Sequence, residues 1–185
     1  MVKIIFFLIV TVFVSANAGG LSIPGTDLHF KLLTANVTGT PNEYLEHAAI
    51  TIHPDGYTCD VNTVIVKQYP TNVMLNVTIT YAGMEMPPMN LEACIAFYEQ
   101  WFVKGVIEKG TPKEKFPHNC PIDPGNYTVM NYEVPKEKIP PGTPPGAVDV
   151  FVTIYIPDGS TIMHLHVTGV LEAGASGTPQ LPLGK

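Results

Sequence analysis

Residues 148–171 read VDVFVTIYIPDGSTIMHLHVTGVL, and their reading decides the fold. Val148, Val150, Val152, Ile154 and Ile156 occupy alternate positions, with Asp149, Phe151, Thr153 and Tyr155 between them. A period of two marks a strand with one buried face, because successive side chains leave a pleated backbone on opposite sides. Pro157-Asp158-Gly159-Ser160 supplies turn chemistry, and Ile162 to Leu171 returns with Met163, Leu165 and Val167 expected inward. The stretch is an antiparallel hairpin with one apolar face.

The same alternation recurs toward the N-terminus, each run bounded by Pro, Gly, Asn or Asp, and predicts about six or seven strands. Leu28, Phe30 and Leu32 alternate along a first strand to about Val37. His47 to His53 forms a second, with Ala48, Ile50 and Ile52 inward, and Pro54-Asp55-Gly56 turns the chain into a third from Tyr57 to about Tyr69. A fourth runs from Val73 to Ala82, with Val73, Leu75, Val77, Ile79 and Tyr81 on one face. Tyr127 to Val134 is a further strand, and the prolines of Pro135 to Gly146 confine that segment to a stiff connection or a mouth loop, since proline cannot donate to a ladder. The fold class expected is all-β: an antiparallel cup or sandwich of immunoglobulin-like character.

One segment breaks the rhythm. Leu91, Cys94, Ile95, Phe97, Tyr98, Trp101, Phe102, Val106 and Ile107 recur at steps of three and four, and Asn90 is placed to cap a helix that breaks before Gly105. Its aromatic side chains either cover a core or line a ligand site. Met84, Met86 and Met89 surround Pro87-Pro88 in the preceding loop, which either packs on the helix or, with its flexible thioethers, adapts to varied apolar ligands. Three cysteines leave one unpaired after a single disulfide. Cys94 with Cys120 is the preferred pair, because it ties the helix to the strand after Pro121. Cys59 is then either a buried thiol or the site of intermolecular pairing.

Lys3, the apolar run Ile4 to Val14 and Ser15-Ala16-Asn17-Ala18 have the form of a signal peptide cleaved after Ala18. The division expected is therefore a signal at 1–18, one domain at 19–172 and a flexible Gly/Ala/Ser/Pro-rich tail at 173–185. Localisation follows as secreted, with the lysosomal lumen open. A net charge of -6 and a complete lack of arginine argue against nucleic acid and anionic membrane surfaces as standing partners. Charged residues are only 14% of the chain, so the surface must be built from uncharged polar groups and glycan. Asn36-Val37-Thr38, Asn76-Val77-Thr78 and Asn126-Tyr127-Thr128 are the glycosylation sequons. Catalytic and metal motifs are weak. His164-Leu165-His166 places two imidazoles on one strand face, where two polar residues of an outer face account for them, as for Asp149. His118 has no mark of a base, and no nucleophile elbow, phosphate loop or zinc spacing occurs. The expectation is a binding protein, not an enzyme, with no cofactor and no metal.

The aromatic segment opening with Cys94, the step to Asn119-Cys120-Pro121-Ile122 and then Asp123-Pro124-Gly125-Asn126-Tyr127 resembles the ganglioside GM2 activator and its ML-domain (lipid-recognition) relatives, with the insect chemosensory proteins grouped among them. The resemblance covers roughly Val73 to Leu171. It implies a β-cup around a large apolar cavity, a helix-loop covering it, and the Cys94–Cys120 disulfide. The activator's additional cysteines are lacking, which removes the basis for a specific ganglioside or hexosaminidase role. On this reading a lipid or other hydrophobic molecule is held by Val77, Ile79, Val150, Val152, Ile154 and Leu165, with Met86, Met89, Trp101 and Phe102 at the entrance. A glycolipid hydrolase or a receptor would take the lipid, with transient membrane contact. The alternative is a structural or adhesive glycoprotein with a filled core, dimerised through Cys59.

Overall fold

A computed structural model describes residues 28–97, 100–136, 139 and 142–173, with side chains described for all of these except 96–104. The expected signal segment and the tail from Gly174 onward lie outside the described residues. Among those described, the strands are β1 (Leu28–Thr38), β2 (Leu45–Ile52), β3 (Thr58–Ile65), β4 (Met74–Tyr81), β5 (Met84–Glu85), β6 (Met89–Glu92), β7 (Gly110–Thr111), β8 (Gly125–Glu133), β9 (Gly146–Tyr155) and β10 (Thr161–Ala173). A 3₁₀ turn (Ala93–Phe97) and one helix, α1 (Gln100–Lys109), lie between β6 and β7.

All pairings are antiparallel and form two sheets. The larger runs β1-β10-β9-β4, with β5 and β6 both paired to the free side of β4; the smaller runs β2-β3-β8-β7. The all-β sandwich read from the alternation is therefore the fold. Its core is continuous across both sheets: Leu75, Val152, Ile154, Leu165 and Leu171 from the larger meet Leu45, Cys59, Val61 and Val129 from the smaller in one cluster. Every one of these is inaccessible or nearly so.

The two sheets are joined on opposite sides by different means. On one side the chain turns from β1 into β2 around Asn42. Its side chain accepts from the Tyr44 and Leu45 amides at 2.9 and 3.0 Å and donates to the Gly39 and Ile162 carbonyls at 2.7 and 2.6 Å. One amide thus satisfies the corner and pins it to β10. On the other side, β6 leaves the edge of the larger sheet, the 3₁₀ turn and α1 cross over, and β7 joins the edge of the smaller sheet.

Three departures from strict alternation have local causes. The β10–β9 register shifts between Thr161 and Met163, so Ile162 and Met163 are both fully buried although adjacent. The β1–β10 register shifts between Leu32 and Thr34, which leaves Leu33 58% exposed. In β8, Asn131 has a φ of 51°, Met130 is turned out to solvent, and the Asn131 amide donates to the Asp60 carboxylate at 2.7 Å. The carboxylate takes a donor that the bulge removes from the ladder, and this bond holds the Asp60 carboxyl below its usual range.

Two expected elements are corrected. Cys94 does not open a helix: Asn90 and Leu91 belong to β6, Cys94 to the 3₁₀ turn, and the helix begins at Gln100 and continues through Gly105 to Lys109. Leu91 lies opposite Leu75, and that cross-strand pair outweighs the helical spacing of the same residues. Of Met84 to Met89, only Met86 to Pro88 is a loop. Ala82 and Gly83, with φ of 49° and 81°, make a tight two-residue turn, and Met84 and Met89 fall in β5 and β6 along the β4 edge. The third strand also ends early, at Ile65. Because Leu75 is fully buried between Ile154 and Leu91, Leu75→Ala should lower unfolding free energy by about 3 kcal/mol, read as a lower urea midpoint at unchanged slope.

Candidate functional site

The ladder brings several of the expected lining residues together. Val77 lies opposite Val152, Val152 opposite Leu165, and Met89 completes the row on the other side of Val77. Ile79 with Val150 forms the next row, and Ile154 with Leu75 the one before. Val77, Ile79, Val150, Val152, Ile154 and Leu165 are all 4% exposed or less, so all six face the space between the sheets. Met86 reaches the same side: its amide donates to the Ile79 carbonyl at 2.8 Å and its side chain packs half-buried on the core. The backbone of Trp101 and Phe102 is in α1, while their side chains lie outside the described residues.

Half-buried apolar side chains run along the β5–β6 edge of the larger sheet and recur on α1. Met86, Met89, Leu91 and Ile107 all pack against the core without being sealed by it. Cys94 and Cys120 are bonded, with 5.7 Å between their Cα atoms. One comes from the turn after β6 and the other from the segment between β7 and β8, so the bond ties the edge of the larger sheet to a connection of the smaller. The pairing preferred from the sequence is the pairing present. In the chain-entropy account a loop of 26 residues closed this way stabilises by about 3 to 4 kcal/mol.

The polar character of the interior is minimal. Among the described residues Thr63 is the single polar residue outside the apolar classes to be fully buried, and its hydroxyl donates to the Tyr127 carbonyl at 3.2 Å. Sequence reasoning missed Tyr69, which is 2% exposed and stacks on Tyr44 with ring centroids 5.9 Å apart. It precedes Pro70, which favours an extended backbone, and that was the available signal. An open cleft of about 470 Å³ lies over the loop before β8, lined by Phe116, Pro117, His118, Asp123, Pro124 and Tyr127 among others.

Three of the six histidines sit in braces. His53 is joined to Asp60 at 3.1 Å and to the Thr58 hydroxyl at 3.0 Å. That order mimics a nucleophile, base and acid, but the Thr58 hydroxyl also donates to Asp55 at 2.9 Å, and the set closes the turn between β2 and β3. His164 and His166 flank the exposed Phe151 on the outer face, bonded to Thr153 at 3.0 Å and Asp149 at 2.8 Å. Among the described residues no three His, Cys, Asp or Glu side chains are grouped to hold a metal ion. Asn36 and Asn126 are exposed, whereas Asn76 is half-buried and its Nδ2 donates to Asn90 at 2.9 Å.

No family model matches the chain, and no curated protein is significantly similar to it. The functional reading therefore rests on the residues themselves.

Cys59 is fully buried in β3, and burial pushes its thiol from an ordinary 9.0 up to about 12. The folded chain thus keeps a proton that the unfolded chain loses, so this contribution to stability is complete below pH 9 and is lost as pH rises toward 12. Melting temperature should fall less steeply over that range in Cys59→Ala than in the parent chain. At pH 8 iodoacetamide should label Cys59 only after denaturation; labelling of the native protein would show an accessible thiol.

Proposed function

We propose that this chain is a secreted carrier that holds a hydrophobic ligand between its two sheets without transforming it. The observation that carries the reading is the set of half-buried side chains Met86, Met89, Leu91 and Ile107 on the side that the 93–109 segment crosses. Inside, the rows built on Val77, Ile79, Val150, Val152, Ile154 and Leu165 are uncharged and packed, so a ligand enters by displacing the side chains that now cover them. Each methylene of a lipid chain moved there from water contributes about 0.8 kcal/mol, so a long chain is held with few polar contacts.

The resemblance to the ML-domain lipid-recognition family supports the same reading. The disulfide joins the aromatic segment to the strand that follows it, and a proline-rich connection leads to the final hairpin in the order the resemblance implies. Secretion fits the disulfide and the signal-like N-terminus, and among the described residues no helix is long and apolar enough to cross a membrane. A glycolipid hydrolase or a receptor is the partner class that would receive the ligand. The competing reading, an adhesive glycoprotein paired through Cys59, needs an accessible thiol, and Cys59 has none to offer. Native mass spectrometry and solvent extraction of the secreted protein should recover bound lipid, and a fluorescent acyl probe should bind with about one site per chain. Recovery of no lipid together with no probe binding would sink the carrier reading.

A further inference from the structure

The hydroxyl of Tyr69 is, among the described residues, the one buried side-chain polar atom without a hydrogen-bond partner. The Tyr69 amide donates to the Ile122 carbonyl at 3.0 Å, the ring stacks on Tyr44, and the residue is 2% exposed. Beside the ring is a cleft of about 10 Å³, closed by Pro70, Val73, Ala93, Ile122 and the Cys94–Cys120 disulfide. That is room for about one oxygen atom. A water there would need two to four polar partners, and the side chains around it are apolar. Ala93 continues the inward positions of β6 through Leu91 and Met89, so the cleft stands at the end of the apolar rim.

The chemistry of the missing partner follows from the surroundings. Burial holds the phenol well above the usual tyrosine range, so it stays protonated and acts as a donor. The chain has no arginine, and every lysine whose side chain is described is at least partly exposed. Lys67, over the Tyr44 ring, is already paired with Glu43 at 2.9 Å and stands half in solvent. An ionised headgroup brought to Tyr69 would lose its hydration and gain a single neutral donor, an unfavourable exchange. An uncharged acceptor gives up far less.

We propose that the Tyr69 hydroxyl is the polar anchor of the ligand site, and that the ligand class is a long apolar chain ending in an uncharged oxygen acceptor, such as an ester, aldehyde or alcohol. This rests on the carrier reading and narrows it. The test measures displacement of a bound fluorescent naphthylamine probe from the full secreted chain by methyl oleate, by sodium oleate and by heptadecene, the ester's matched hydrocarbon. The parent protein should bind the ester about fivefold to tenfold more tightly than the hydrocarbon, the worth of one hydrogen bond. Tyr69→Phe should erase that preference while heptadecene binding holds, and should melt no lower than the parent, because it removes an unsatisfied buried group. An ester preference that survives in Tyr69→Phe, tighter binding of oleate than of the ester, or a lowered melting temperature would overturn the anchor and leave the carrier reading intact. Failure of the parent to bind any of the three, or the probe, would remove the carrier reading and the anchor together.

Discussion

The bond between Cys94 and Cys120 is the constraint on which the closed form of the sandwich depends. Ladder hydrogen bonds hold each sheet, but none of them runs between the sheets. At the β1–β2 corner Asn42 closes the gap with four hydrogen bonds. At the opposite side a 3₁₀ turn and one ten-residue helix must span it, and a helix of that length is marginal by itself. The disulfide anchors that segment where it leaves the larger sheet and ties it to the approach to β8. Val106 and Phe116, both nearly inaccessible, add apolar contact from the smaller-sheet side. The closing segment is therefore fastened where it leaves the larger sheet and where it joins β7, and among its described side chains Ala93 and Val106 are buried and Ile107 half-buried.

The strands were legible wherever one face is buried and the other wet, because that contrast is what writes a period of two into a sequence. Val148 to Ile156 is the clearest case, with its five alternate residues all 5% exposed or less. Ile162 and Met163 show where the signal stops. Two adjacent buried residues need a register shift, which depends on the partner strand and has no local mark. The Leu91 region failed for the same reason. Steps of three and four described its apolar residues, yet Leu91 found Leu75 across the sheet, a neighbour sixteen positions earlier that no local window includes. The turn at Ala82-Gly83 was equally silent, since alanine is a poor announcement of a positive φ.

The site was legible in part. The inward rows could be named in advance because each of their strand residues follows the alternation. Tyr69 could not, because it lies beyond the end of β3, held by an isolated bridge to Ile122 and by stacking on Tyr44. Both contacts join segments far apart in the chain. The Thr58-His53-Asp60 brace misleads for a local reason: its order suggests chemistry until the bond from Thr58 to Asp55 is seen. Residue types announce what a group can do; only the partners decide what it does.

Pro87 and Pro88 sit midway along the outermost line of the larger sheet, between β5 and β6. The amide of Met86 still reaches Ile79, and Met89 rejoins the ladder opposite Val77, so β4 is covered on both sides of the interruption. The outward side is another matter. Two consecutive residues there lack an amide hydrogen, and the line is broken into pieces of two and four residues. An incoming strand would find no continuous row of donors and acceptors to copy. A chain this rich in alternating apolar segments carries a standing hazard of edge-to-edge polymerisation, and at this border the two prolines take away the template.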